Sequence, residues 1–223
     1  YAAFDGLPNG ASSEQRSLVI LRASQEPTCV ARDGKSGVGA DPLEGIMNRA
    51  ELESIASRMA AKGKGILAAD ESTGTVAKRF EAIGLEGTEE TRRSYREMLF
   101  TAPGLSDYIS GVILYDETLR QKTKDGEPFP VYLTRVGILP GIKVDTGAKP
   151  LAGFPGETIT EGLDGLRGRL AEYYQLGARF AKWRAVITIG PATPTQFAIE
   201  ANAHALARYA ALCQEANVVP IVE

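Results

Sequence analysis

Polar and apolar positions along the chain follow two periods, and the switch between them repeats. Short, almost wholly apolar runs occupy residues 66–70, 111–115, 141–145 and 218–223. Runs of this length without alternation read as strands of a parallel sheet, covered on both faces. Helical spacing separates them. Leu52, Ile55, Ala56 and Met59 follow a candidate cap at Asn48, and Thr88-Glu89-Glu90-Thr91 opens a helix that runs to Phe100. Two more helices are expected, over 163–176 and over the Ala-rich 195–215. Pro220 is awkward in a central strand and calls for a local irregularity there.

The remaining strand-like run, 178–187, carries charge in its middle. Residues two apart on a strand share a face, so Phe180, Lys182 and Arg184 point one way and Ala181, Trp183 and Ala185 the other. The small-large-small side suits packing under helices, with Trp183 facing outward into that packing. The other side holds two cations about 7 Å apart. Buried like charges cost several kcal/mol unless anions compensate them, which points to an anion pocket. The competing reading is an edge strand with both cations in water.

Strand-like runs alternating with helices are the mark of βαβ units and a parallel sheet, either doubly wound or closed into a barrel. No GxGxxG or GxxxxGK[ST] follows any of them, which argues against a nucleotide-binding open sheet. Charged residues fall at or near the strand C-termini: Asp70, Asp116, Lys143, Lys182 with Arg184, and Glu223. A barrel gathers those ends around one axis, where its active site lies. The fold class expected is therefore α/β, a TIM (β/α)8 barrel, with about the first five strands present. Asp116 and Glu117 are equally suited to capping the next helix.

Composition narrows the chemistry. Of 223 residues, 43% are hydrophobic and 24% charged, ordinary for a soluble globular protein. The net charge of −3 argues against nucleic acid or an anionic membrane as the main partner, so any basic site is local. No apolar run reaches the ~18 residues of a spanning helix. Cys29 and Cys213 form no CxxC and are expected as free thiols. His204 is the only histidine, so neither a metal held by a histidine cluster nor a histidine-based triad is expected. Residues 1–45 scatter Gly, Pro, Ser and Asp around one apolar run at 17–21. They are expected to be a loosely ordered extension ahead of a domain over 46–223. Their first residue is Tyr, as if the start were cut or processed, and their acidic residues argue against a transit peptide.

Two lysines, an arginine and carboxylates at one barrel mouth describe a site for an anionic, polyhydroxylated substrate. Clustered ammonium groups deprotonate more easily, and a neutral lysine amine can attack a ketone to give an iminium. Residue chemistry alone nominates Lys182 or Lys143 as that nucleophile, with carboxylates moving protons. A phosphate-binding lysine would look the same.

The motifs are more specific than that chemistry. Gly65-Ile-Leu-Ala-Ala-Asp-Glu-Ser-Thr-Gly74, Ser110-Gly-Val-Ile-Leu114, Gly141-Ile-Lys-Val-Asp145, Glu161-Gly-Leu-Asp-Gly165, Phe180-Ala-Lys-Trp-Arg184 and Pro220-Ile-Val-Glu223 stand in order. From about Glu51 to Glu223 the chain resembles class I fructose-bisphosphate aldolase, in wording most like the cytosolic plant and algal branch.

The resemblance implies an eight-stranded βα barrel, a cytoplasmic homotetramer, a phosphosugar substrate and no cofactor or metal. A plastid would be implied only if residues 1–45 were a targeting remnant. It implies that Asp70 positions the substrate hydroxyl at the breaking bond, that Lys182 assists carbinolamine formation and dehydration, and that Glu223 is the general acid/base. Lys143 and Arg184 would bind a phosphate end or shape the site. Ser72 and Thr75 at the strand-to-helix turn, with Arg79 nearby, fit a second phosphate, on hydroxyls and a helix N-terminus. Arg92 matches another substrate-binding position, or serves only the helix surface.

The family's Schiff-base lysine lies on a sixth strand, beyond Glu223, which takes the nucleophile's role from Lys182. The chain as given is accordingly expected to be an inactive fragment with open sheet edges, prone to associate. The alternative is a catalytically silent relative that binds phosphosugars or partner proteins.

Overall fold

The computed structural model describes residues 47–223. The expected extension, its 17–21 run and Cys29 lie outside them. The first helix, α1 (Arg49–Met59), is capped by the Asn48 side chain, which accepts the Glu51 N–H. Its buried residues are the four at helical spacing, Leu52, Ile55, Ala56 and Met59. The chain then runs through β1 (Gly65–Ala69), α2 (Thr73–Glu81), α3 (Glu89–Phe100), the single turn α4 (Leu105–Tyr108) and β2 (Ile109–Leu114). Thr88 caps α3 by accepting the Thr91 N–H. Two short helices, α5 (Asp116–Arg120) and α6 (Phe129–Arg135), lead to β3 (Leu139–Lys143). There follow a hairpin of β4 (Gly147–Pro150) and β5 (Thr158–Glu161), then α7 (Leu166–Gln175), β6 (Phe180–Trp183), α8 (Gln196–Glu215) and β7 (Val219–Val222).

Strands β1, β2, β3, β6 and β7 pair in that order, each parallel to its neighbour. A doubly wound sheet would reverse its order at a switch point, whereas this one steps in a single direction, as a (β/α)8 barrel does. The described residues thus form part of such a barrel. Among them β1 and β7 each have one neighbour in the sheet.

Alternation along the strands divides the core. Val112, Leu114, Ile142, Ala181 and Trp183 face outward under the helices and meet Phe100, Leu133, Leu170 and Tyr209. Trp183 lies 5.5 Å from Tyr209, ring centre to ring centre, which is the packing role expected of it. Ile113, Leu139, Phe180 and Val219 face the other way and bury the apolar stripe of α1. Cys213, the free thiol among the described residues, is sealed in the outer core, where burial pushes its pKa up.

Two expectations need correcting. The strand expected over 178–187 is only Phe180–Trp183, and Arg184 lies past its end. Beyond Trp183 one further bond joins the chain to the end of β7, from the Ala185 N–H to the Glu223 carbonyl, while the carbonyls of Arg184 and Val186 accept the hydroxyls of Thr160 and Thr158. Pro220 needs no irregularity either, since β6 and β7 pair without a register shift. Val219 and Glu223 donate their N–H groups to β6, so Pro220, one residue out of phase, loses no bond to it.

Gly111 and Gly141 make room for Phe180. A Cβ built on Gly141 would lie 2.2 Å from the Phe180 ring, and one on Gly111 2.9 Å. Phe180 is fully buried with nowhere to retreat. Gly141→Ala should therefore destabilise the fold by about 1–3 kcal/mol through overpacking. A urea midpoint equal to that of the parent chain would show that the ring can move aside.

Candidate active site

Each of four strands delivers one ionisable side chain to the inner face. Asp70 follows β1 in phase with Ile66 and Ala68. Lys143 stands two residues after Gly141, Lys182 two after Phe180, and Glu223 two after Ile221. The phase that buries Phe180 and Val219 against α1 therefore carries the four charged groups to the C-terminal end of the sheet.

There the groups converge. Lys182 Nζ is 3.2 Å from Asp70 Oδ2 and 3.0 Å from Glu223 Oε2, and its side chain is only 12% exposed. Arg184 Nε lies 3.6 Å from the other Glu223 oxygen. Lys143 Nζ is 3.8 Å from Asp145 Oδ1. A cavity of about 310 Å³, within the range of small-molecule sites, is lined by Asp70, Ser72, Thr75, Lys143, Lys182 and Arg184 among others.

The surroundings of Lys182 bear on which role it can fill. Burial is the largest influence on it and favours the neutral amine, but Glu223 and Asp70 together outweigh that and raise its pKa above the usual lysine value. At neutral pH Lys182 is an ammonium held between two carboxylates. In that state it is a positive charge, and its amine is less available to attack a carbonyl. Its folded pKa is raised, so its stabilising effect should be complete below the unfolded value of about 10.4 and vanish as pH climbs through the folded one. The stability gap between the parent chain and Lys182→Met is expected to stay flat through neutral pH and close in strong alkali. A gap that closes in acid would show that the titration of Lys182 itself does not govern it.

Ser72 precedes α2 and makes no side-chain capping bond; its hydroxyl lies 3.1 Å from that of Thr75. Both hydroxyls therefore sit at the helix N-terminus, where backbone N–H groups favour an anion. A shallow groove continues along α2 past Lys78 to Arg79. Arg79 is also paired with Glu71. Arg92 stands apart, with Nε and Nη2 each 2.8 Å from a Glu117 oxygen and Nη1 donating to the Gly87 carbonyl. The structure thus joins Asp70, Ser72, Thr75, Lys143, Lys182 and Arg184 at one cavity, places Glu223 at its rim through its ion pairs and Arg79 beside it, and leaves Arg92 bridging helices.

Some participants carry no assigned role in the sequence reading. Glu71, next to Asp70, holds both Arg79 and the buried Arg96. Asp145 lines the cavity beside Gly147 and Ala148 of the hairpin. Its position two residues beyond Lys143, on the same face, was the available signal. Among the described residues no group of three or more His, Cys, Asp and Glu could hold a metal ion, and no helix is long and apolar enough to cross a membrane.

Comparison with known proteins adds to this geometry. Residues 51–223 match the family model described as fructose-bisphosphate aldolase class-I. A probable class 1 fructose-bisphosphate aldolase of Xanthomonas campestris is 68% identical over 177 residues, covering 79% of this chain and 53% of the relative. The cytoplasmic isozyme of Spinacia oleracea is 60% identical over 173 residues, covering 78% of this chain and 48% of its own. The bacterial sequence is the more similar of the two, so the likeness to plants and algae is not the strongest. A solved fructose-bisphosphate aldolase of Plasmodium falciparum, in complex with TRAP and a small-molecule inhibitor, superposes with a TM-score of 0.76 at 51% identity, covering 78% of this chain and 51% of that one. The chain spans about half the length of the relatives it matches.

Proposed function

This chain belongs to the class-I fructose-bisphosphate aldolase family, and from that membership we propose that its strand-end site serves the reversible aldol cleavage of fructose 1,6-bisphosphate to dihydroxyacetone phosphate and glyceraldehyde 3-phosphate. The observation that carries the reading is the Lys182 ammonium, bridged at 3.2 and 3.0 Å between Asp70 and Glu223 on the inward face. An ammonium there can protonate a departing hydroxyl as a carbinolamine loses water, and two flanking carboxylates can return the proton or hold the sugar hydroxyl at the bond that breaks. Lys143 and Arg184 at one side, and Ser72 with Thr75 at the N-terminus of α2, supply two anion sites for a substrate with two phosphates. Arg79 extends the second. Family membership supports a cytosolic, glycolytic or gluconeogenic setting and a homotetramer, with no metal or cofactor.

The resemblance assigns the Schiff-base lysine to a position beyond Glu223, and the two carboxylates that raise the Lys182 pKa support a role for Lys182 other than the nucleophile's. Borohydride reduction with dihydroxyacetone phosphate, followed by peptide mapping, tests the assignment. The 223-residue chain should gain no stable adduct, and a protein carrying the sixth strand should be labelled on that strand. An adduct on Lys182 or Lys143 would overturn the assignment. Failure of the longer protein to cleave fructose 1,6-bisphosphate in a coupled assay would overturn the function.

A further inference from the structure

Arg184 follows the strand that delivers Lys182, and the residues on either side of it still bond to β7's neighbour Glu223, through the Trp183 carbonyl and the Ala185 N–H. Its own amide and carbonyl face the other way and are held by side chains. The Arg184 N–H donates to Asp145 Oδ2 at 3.4 Å, and its carbonyl accepts the Thr160 hydroxyl at 2.7 Å. Both side chains are buried: Thr160 is 3% exposed, and the Asp145 side chain 4%. The same Asp145 carboxylate accepts the Gly147 N–H at 3.1 Å through its other oxygen, which also lies 3.8 Å from Lys143 Nζ. One carboxylate therefore spaces Lys143, through its ammonium, and Arg184, through its amide. The hairpin is pinned further along the same segment, where Thr158 donates to the Val186 carbonyl and Thr188 to the Gly156 carbonyl. Past this clamp the Arg184 side chain is 60% exposed, with Nε 3.6 Å from a Glu223 oxygen.

We infer that Asp145 and Thr160 are positioning residues that set the separation of the Lys143 and Arg184 cations, and thereby determine how strongly the site prefers a sugar bisphosphate to a monophosphate. The inference rests on the reading of this mouth as a phosphosugar site. A buried hydroxyl that donates to the carbonyl of a ligand-facing residue has no other partner to offer that carbonyl. Removing it leaves the carbonyl to seek water and lets the segment drift. A drift of about 1 Å in a charged group is enough to weaken recognition of a phosphate severalfold or more. Thr160 is not itself a lining residue of the cavity, and its hydroxyl reaches the site through the Arg184 carbonyl.

The test uses Thr160→Val, which keeps the shape and deletes the donor, and Thr160→Ser, which restores it. Calorimetric titration of the full chain with fructose 1,6-bisphosphate and with fructose 1-phosphate gives two dissociation constants for each variant. The preference for the bisphosphate should fall by about tenfold in Thr160→Val and return in Thr160→Ser. A lower melting temperature is expected in Thr160→Val on either account and decides nothing. An unchanged ratio of the two constants would overturn the clamp and leave Thr160 a purely structural residue. A parent protein that binds both sugars but cleaves neither, even with the sixth strand present, would overturn the proposed reaction and leave the clamp standing. A parent chain that binds neither sugar would overturn both.

Discussion

Replacing Lys182 with methionine should lower the rate of fructose 1,6-bisphosphate cleavage by about 10²- to 10⁴-fold in the protein that carries the sixth strand, the range expected for losing a positioned proton donor. Methionine keeps most of the length and apolar body of the side chain, so the packing below it, on Phe180, survives. What is lost is the cation 3.2 Å from Asp70 and 3.0 Å from Glu223. The two carboxylates would then be left without the cation that bridges them. The proposed proton donor is removed, and the ion-pair bridge that orients its neighbours goes with it. The loss should appear mainly in kcat, because substrate phosphates are assigned to other cations. Arginine at this position keeps the charge and should recover little, since a planar guanidinium cannot reproduce a compact ammonium between two carboxylates. A methionine variant with kcat within tenfold of the parent, at an unchanged urea midpoint, would remove Lys182 from the chemistry.

How far that prediction could be drawn from sequence depends on the distance over which each property is set. Most of the strand runs, the helix starts at Asn48 and Thr88, and the shared phase of Lys143 and Lys182 with the inner face are local, and the structure agrees with them. The charge state of Lys182 is not local. Its partner Asp70 lies on the far side of two intervening strands, and until that distance is closed two clustered lysines look like a device for lowering a pKa. The hairpin of β4 and β5 escaped notice for a related reason. Gly147-Ala148-Lys149-Pro150 has no alternating apolar face, and the hairpin is held by side-chain hydroxyls on distant carbonyls, so neither periodicity nor composition marks it. Arg92 shows the reverse limit. Family likeness assigned it to substrate, while its bidentate hold on Glu117 gives it a structural task that no motif displays.

Glu71→Ala should have the largest effect on stability of any single change considered, about 3–5 kcal/mol, the usual consequence of leaving a buried charge without its partner. Arg96 is 3% exposed, with Nη1 2.8 Å from Glu71 Oε2 and Nη2 donating to the Glu71 carbonyl at 3.0 Å. Its guanidinium also lies over the Tyr95 ring at 5.2 Å, a contact too weak to carry a buried cation alone. Arg79, the other partner of Glu71, is more than half exposed and returns to water at little cost. The double variant Glu71→Ala with Arg96→Met should therefore recover most of the loss, because the penalty lies in the stranded charge and not in the missing bond. Urea midpoints of the two single variants and the double variant measure this directly. Full additivity would show that Arg96 finds another counterion when Glu71 is gone. Because Glu71 sits between Asp70 and Ser72, the same pair anchors the turn that presents both to the cavity. Glu71→Ala should then weaken phosphate binding at the N-terminus of α2 at urea concentrations where the fold is still intact.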